Sequence, residues 1–378
     1  MPVHVRTCRR AFLLAWSFLH LAGPVLLRSA STDTQLNLFE QLANRNNADL
    51  APLTTEQHDA FLRDAAAQHG EPVTTLQPKI LSSLGFGYDS NPGASPTAHG
   101  SWFGKPDLNL SLGWTPNAAN TVMAGYEVIG TVYDGASASL DQALNTWDVN
   151  WNYLFSHDSA LSVDAKDVAT FVGGKAAQNK GDFTTSYGQY WATHAWRFTP
   201  QYEYANLDQL TAPSKPSRDL TGTQHSLGSA IAFFPADVSL GASGAIVRTL
   251  ARLPLDKVEL GYYHAWNAAV GSDNDYQGDK LTLNVNGIRI GVKRLTLNAS
   301  YTQEWRDYSK PNSFSPTGAL RADGINRASA EIDYNPLAFE SLKPKLFVRY
   351  DLTAQDSNIG QKNFHEHIVQ LGVSLQLK

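Results

Sequence analysis

From Val369 to Lys378 apolar Val369, Leu371, Val373, Leu375 and Leu377 alternate strictly with Gln370, Gly372, Ser374, Gln376 and Lys378. A period of two places each set on its own face of a β-strand. The pattern recurs after Lys79. Leu108, Leu110, Leu112 and Trp114 oppose Asp107, Asn109, Ser111 and Gly113, and Trp147, Val149, Trp151, Tyr153 and Phe155 oppose Asp148, Asn150 and Asn152. Leu295, Leu297, Ala299 and Tyr301 alternate with polar residues, as do Leu346, Val348, Tyr350 and Leu352 with Lys345, Phe347, Arg349 and Asp351. Many strands of about ten residues, each with one greasy and one wet face, predict an all-β fold: a transmembrane antiparallel β-barrel of 14 or 16 strands over residues 79–378. The count along the chain comes to fifteen, because 238–270 reads as two strands joined near Pro254. An even number then requires a short extra strand within 241–254, which puts 16 slightly ahead.

Residues 32–78 differ in period. Leu36, Phe39 and Leu42 recur at helical spacing, and Thr54-Thr55-Glu56-Gln57 reads as a capping box ahead of Phe61, Leu62 and Ala65. A short α-helical N-terminal segment is expected, serving as a periplasmic tether or as a plug. Before it, Arg6, Arg9 and Arg10 precede the apolar run 11–27, followed by Ser29, Ala30 and Ser31. This is the layout of a cleaved signal peptide over 1–31. Its removal takes four of the 30 basic residues and none of the 35 acidic ones, so the mature chain is more acidic than the formal charge of −5. That balance excludes nucleic acid as a partner. The single cysteine, Cys8, lies inside the signal, so disulfides and thiolate metal sites are not expected.

The connections also alternate. Short turns are expected at 115–117, 156–158, 199–200, 235–237 and 292–294, and longer polar loops at 90–105, 134–141, 173–181, 209–222, 271–279, 309–326 and 355–363. Short periplasmic turns and long outside loops fit an integral outer-membrane protein. Aromatic residues make up 11% of the chain. Trp114, Tyr133, Trp151, Tyr153, Trp196, Tyr202, Tyr204, Trp266 and Trp305 fall near strand ends, as interfacial girdles do.

No catalytic constellation stands out, so an enzyme is not expected. Gly241-Ala242-Ser243-Gly244 lacks the strand-to-helix turn of a nucleophile elbow. His365-Glu366-His367 puts two imidazoles on one side of a strand, better explained by a solvated rim than by a metal. Asp273-Asn274-Asp275 with Gly278 and Asp279 is better explained by an acidic loop than by a calcium site. Function is expected in the lumen, where the alternation assigns Asp107, Glu127, Asp148, Asp164, Glu259, Glu304, Glu331, Asp333 and Asp351 against Lys166, Arg306, Arg327, Lys345 and Arg349. This excess of acid disfavours polyanionic cargo and favours neutral or weakly cationic solutes. Transport of this kind needs no cofactor.

The phrase Gly85-Phe86-Gly87-Tyr88-Asp89-Ser90-Asn91-Pro92 resembles the opening strand of the C-terminal barrels of surface lipoprotein assembly modifiers and exopolysaccharide export porins. The resemblance implies a channel or export conduit for a polar solute, an oligosaccharide or a polypeptide. The tetratricopeptide array of those families has no room in 32–78. The alternative function is a non-conducting surface receptor or adhesin acting through its outside loops. The partners expected are outer-membrane lipid and lipopolysaccharide, the barrel-assembly machinery, and a periplasmic partner or cargo.

Overall fold

The computed structural model describes residues 75–377, apart from 95–98, 118, 157, 192–194, 214, 236–253, 292–293, 314, 316 and 337–341. Fourteen strands follow in order: β1 (Thr75–Asp89), β2 (Ser101–Asn117), β3 (Asn120–Tyr133), β4 (Gln142–Ser156), β5 (Ser159–Val172), β6 (Lys175–Trp191) and β7 (Trp196–Gln209). They continue as β8 (Gly222–Phe233), β9 (Lys257–Ala269), β10 (Tyr276–Arg289), β11 (Leu295–Pro311), β12 (Leu320–Tyr334), β13 (Leu342–Ser357) and β14 (Phe364–Leu377). Each strand pairs antiparallel with its neighbours in sequence, and β1 pairs with β14 from Ile80↔Leu377 to Asp89↔Ile368, closing the ring. Closure leaves no unpaired sheet edge, which is the condition for a sheet to stand in a bilayer.

The period of two decides which way each residue faces. Phe86, Leu371, Val348 and Ile332 lie side by side across β1, β14, β13 and β12, and all are exposed. Their sequence neighbours Gly87, Gln370, Phe347 and Asp333 point inward and are buried. The outer surface is therefore a belt of Leu, Val, Ile, Trp and Tyr exposed around the whole ring. For a protein in water such a continuous apolar surface is unfavourable, and for one in lipid it is required.

The strand number is 14 rather than 16. β8 pairs directly with β9, from Gly222↔Ala269 to Phe233↔Val258, so the ring closes without a strand between them. The extra strand expected within 241–254 falls almost wholly outside the described residues, as do the helices of 32–74, the signal segment and the Gly241–Gly244 phrase. The first strand starts at Thr75, so Thr75–Pro78 belongs to the barrel.

Two expected connections are also different. The loop expected at 173–181 is a two-residue turn, with Gly173 and Gly174 at φ 55° and 77° and β6 resuming at Lys175. Two adjacent left-handed residues make the tight hairpin turn that matches strand twist, and glycine adopts them without strain. The turn expected at Thr199-Pro200 lies inside β7. Pro200 has no N–H to donate, and the β6–β7 register is interrupted between Gln201 and Phe198, but the β7–β8 register runs through it unbroken. At the end holding the chain's first and last strand residues the connections run to seven residues or fewer, except 234–256, whereas the 173–174 turn lies at the other end. The connections at the other end include 90–100, 134–141, 210–221 and 312–319. That difference assigns the first end to the periplasm and the second to the exterior.

Candidate functional site

All fourteen charged residues assigned to the lumen by alternation fall on inward positions of their strands. They do not form one site. On one wall Asp107 of β2, Glu127 of β3, Asp148 of β4 and Asp164 of β5 lie near one another, with Lys166 directly across from Asp148. None of these four carboxylates has an ion pair within 4 Å among the described residues. Asp107 accepts only a 3.3 Å hydrogen bond from Ser83 Oγ, Glu127 a 3.4 Å bond from Asn109 Nδ2, and Asp164 a 3.4 Å bond from Asn150 Nδ2. Gly125, across from Asp148 on β3, gives that carboxylate its room, because a Cβ there would come 2.2 Å from Asp148 Oδ1.

The wall made by β11, β12 and β13 is different. Glu304 holds Arg306 at 2.5 Å and Arg327 at 3.1 Å, Lys345 bridges Glu331 at 2.9 Å and Asp333 at 3.0 Å, and Arg349 lies 2.8 Å from Asp351. These charges neutralise one another in place. Glu259 of β9 stands apart from both walls, held at 3.0 Å by Arg197 and at 3.6 Å by Lys257.

Alternation missed several inward charges. Lys105, Lys180, Arg197, Lys257, Lys280 and Arg321 also face the lumen, with Asp182, Glu203, Asp323 and Glu366. The expected excess of acid is therefore corrected: the inward face as a whole approaches balance, and the carboxylates without an ion pair among the described residues cluster on β2–β5, where Lys105 and Lys166 are the neighbouring bases. The signal for Arg197 was present, since Trp196 and Phe198 flank it as outward aromatics, and Tyr202 and Tyr204 flank Glu203 likewise. Lys280 was hidden because its outward neighbour is Asp279, which accepts from Tyr262 Oη at 2.6 Å and lies 2.8 Å from His264 Nδ1. That contact also separates Asp279 from Asp273, which is buried in a loop. His365 and His367 face outward and Glu366 inward. No group of three or more metal-binding side chains is found among the described residues.

Of the aromatics expected in the girdles, Trp114, Trp151, Trp266 and Trp305 are exposed on the outer surface. Tyr133 is the correction. It points inward, is buried, and its hydroxyl donates to Asp89 Oδ2 at 3.0 Å. Asp89 Oδ1 also accepts from Asn91 N at 2.8 Å, so the aspartate ties the end of β1 to the start of its loop.

A closed antiparallel sheet with an apolar outer belt and a charged inner face is the construction of a transmembrane β-barrel, an integral protein of the outer membrane. No protein-family model matches the sequence, and no curated protein sequence matches it. Among solved structures the chain is similar to the outer membrane channel DcaP of Acinetobacter baumannii, with 12% identity and a TM-score of 0.46, over 80% of this chain and 97% of that one. It is similar to OccAB4 of Acinetobacter baumannii at 9% identity and a TM-score of 0.42, over 80% and 99%. It is likewise similar to the outer membrane protein OprD from Pseudomonas aeruginosa at 8% identity and a TM-score of 0.40, over 82% and 96%. The likeness to assembly modifiers and exopolysaccharide porins rests on Gly85–Pro92 and the general alternation from about Lys79, and none of these structures supports it.

Proposed function

We propose that the chain is an outer-membrane channel for small polar solutes, with a preference for neutral or cationic ones. The observation that carries this reading is the β2–β5 wall, where Asp107, Glu127, Asp148 and Asp164 face the lumen without an ion pair among the described residues, whereas the charges of the β11–β13 wall are paired. Uncompensated carboxylates along a narrow aqueous path attract cations and repel anions. Oligosaccharide or polypeptide passage would use the same lumen. The receptor reading draws less support, because loop residues such as Asn91, Arg218 and Asn312 are buried rather than projecting.

Charge reversal tests the assignment by position. Asp148→Lys is expected to move the reversal potential in a potassium chloride gradient toward anions. Glu331→Lys is expected to move it less, because Glu331 is already offset by Lys345 at 2.9 Å. Unchanged potentials in both variants would remove the lumen from the account of selectivity.

A further inference from the structure

Three guanidinium groups line one small cavity on the inner face of the barrel, toward its extracellular end. Arg306 of β11, Arg321 and Arg327 of β12, and Thr353 and Gln355 of β13 surround a volume of about 30 Å³. The carboxylates that bond these arginines are shared. Glu304 accepts from Arg306 Nε at 2.5 Å and from Arg327 Nη1 at 3.1 Å. Asp323 accepts from Arg321 Nε at 2.9 Å and Nη2 at 2.5 Å, and also from Tyr308 Oη at 3.2 Å. Both Nη groups of Arg306, Nη1 of Arg321 and Nη2 of Arg327 have no acceptor among the described residues, although Arg306 and Arg321 are only 6% and 3% exposed.

Buried N–H groups call for an acceptor, and a guanidinium offers an anion the edge it has not already used. The rings of Tyr276 and Tyr308 lie against Arg306 and Arg321, at 4.7 and 4.4 Å from Cζ, and hold the two groups in place. Charge points the same way. Lys362 also lines the cavity and Lys280 stands across from Glu304 on β10, against which Glu366, across from Thr353 on β14, adds one carboxylate. The size then selects the ligand: the space holds about two water molecules, which admits a monatomic anion and refuses a sulfate. We infer that the cavity is a halide site, in which one chloride ion is held by the unused edges of Arg306, Arg321 and Arg327. The ion neutralises surplus base in this wall and ties β11 to β12. The inference does not depend on the channel reading.

The test uses the full chain folded in detergent, with heat-modifiable mobility confirming the barrel in every variant. Broadening of the chloride-35 resonance reports exchange with the site, and anomalous scattering from crystals grown in bromide locates it. The wild-type protein is expected to broaden the line, bromide to reverse the broadening, and sulfate at equal ionic strength to leave it. Arg306→Lys keeps the charge and loses the edge, and Thr353→Leu fills the space without touching a charge. Each is expected to weaken binding about tenfold or more, the worth of one lost bond to an ion. Lys310→Met, which removes an exposed base from the same strand β11, is expected to bind as wild type does. A bromide peak absent from the cavity overturns the site, and so does displacement by sulfate as effective as by bromide. Unchanged broadening in both Arg306→Lys and Thr353→Leu overturns it as well.

Discussion

Arginine at Leu371 is expected to destabilise the folded barrel by about 2–4 kcal/mol, the cost of a cationic side chain at the bilayer midplane of a transmembrane barrel. Leu371 lies at the middle of β14, is 60% exposed, and is flanked in register by Phe86 and Val348, so its surroundings are apolar on both sides. Arginine one residue earlier, at Gln370, faces the polar lumen side rather than lipid, and is expected to cost less than arginine at Leu371. Urea titrations in lipid vesicles followed by tryptophan fluorescence measure both. Similar losses at the two positions would contradict the assignment of faces, since a slip of one residue exchanges the two environments.

That contrast also explains how much was legible in the sequence. Where side chains alternate cleanly between large apolar and polar, as in 369–377 and 147–155, the face of each residue follows from the period alone. Where small or turn-forming residues intervene, the reading weakens. Gly173-Gly174 looks like the start of a loop because glycine marks turns of every length; only strand pairing shows that Lys175 resumes the sheet at once. Pro200 looks like a turn for the same reason. It is tolerated inside β7 because one side of the ladder lapses there while the other continues.

The lumen was less legible than the lipid face, for a physical reason. The outer belt must satisfy one uniform solvent, which imposes a simple composition, whereas the inner face has to satisfy itself. Whether Asp148 lacks an ion pair among the described residues while Glu331 has one depends on which strands adjoin and at what register, and neither is local information. The balance of charge was misjudged on the same account. Bases such as Arg321 and Lys180 sit in stretches of small and polar residues, where the alternation is faint, yet they reach carboxylates two residues along, Arg321 to Asp323 and Lys180 to Asp182.

Removal of the Glu259 carboxylate is the second change with a large expected effect. Arg197 and Glu259 come from β7 and β9, on either side of β8, and meet at 3.0 Å with side chains 3% and 5% exposed, while Lys257 Nζ stands 3.6 Å from the same carboxylate. The Arg197 guanidinium is also 5.9 Å from the ring of Tyr190 and 5.7 Å from that of Phe234. Glu259→Ala takes the negative charge away from two buried cations, and breaking a buried pair from one side costs about 3–5 kcal/mol. Replacing both members together, Arg197→Met with Glu259→Leu, is expected to cost less than Glu259→Ala alone, because one of the two buried cations is removed along with the carboxylate that held it, while Lys257 stays. A double-mutant cycle by urea denaturation in vesicles gives the coupling directly. A cost below about 1 kcal/mol for Glu259→Ala would mean that water reaches the pair freely, as expected for an exposed ion pair. The periplasmic half of the lumen would then be a hydrated passage at β7–β9 rather than a packed wall, and the path available to a solute would widen accordingly.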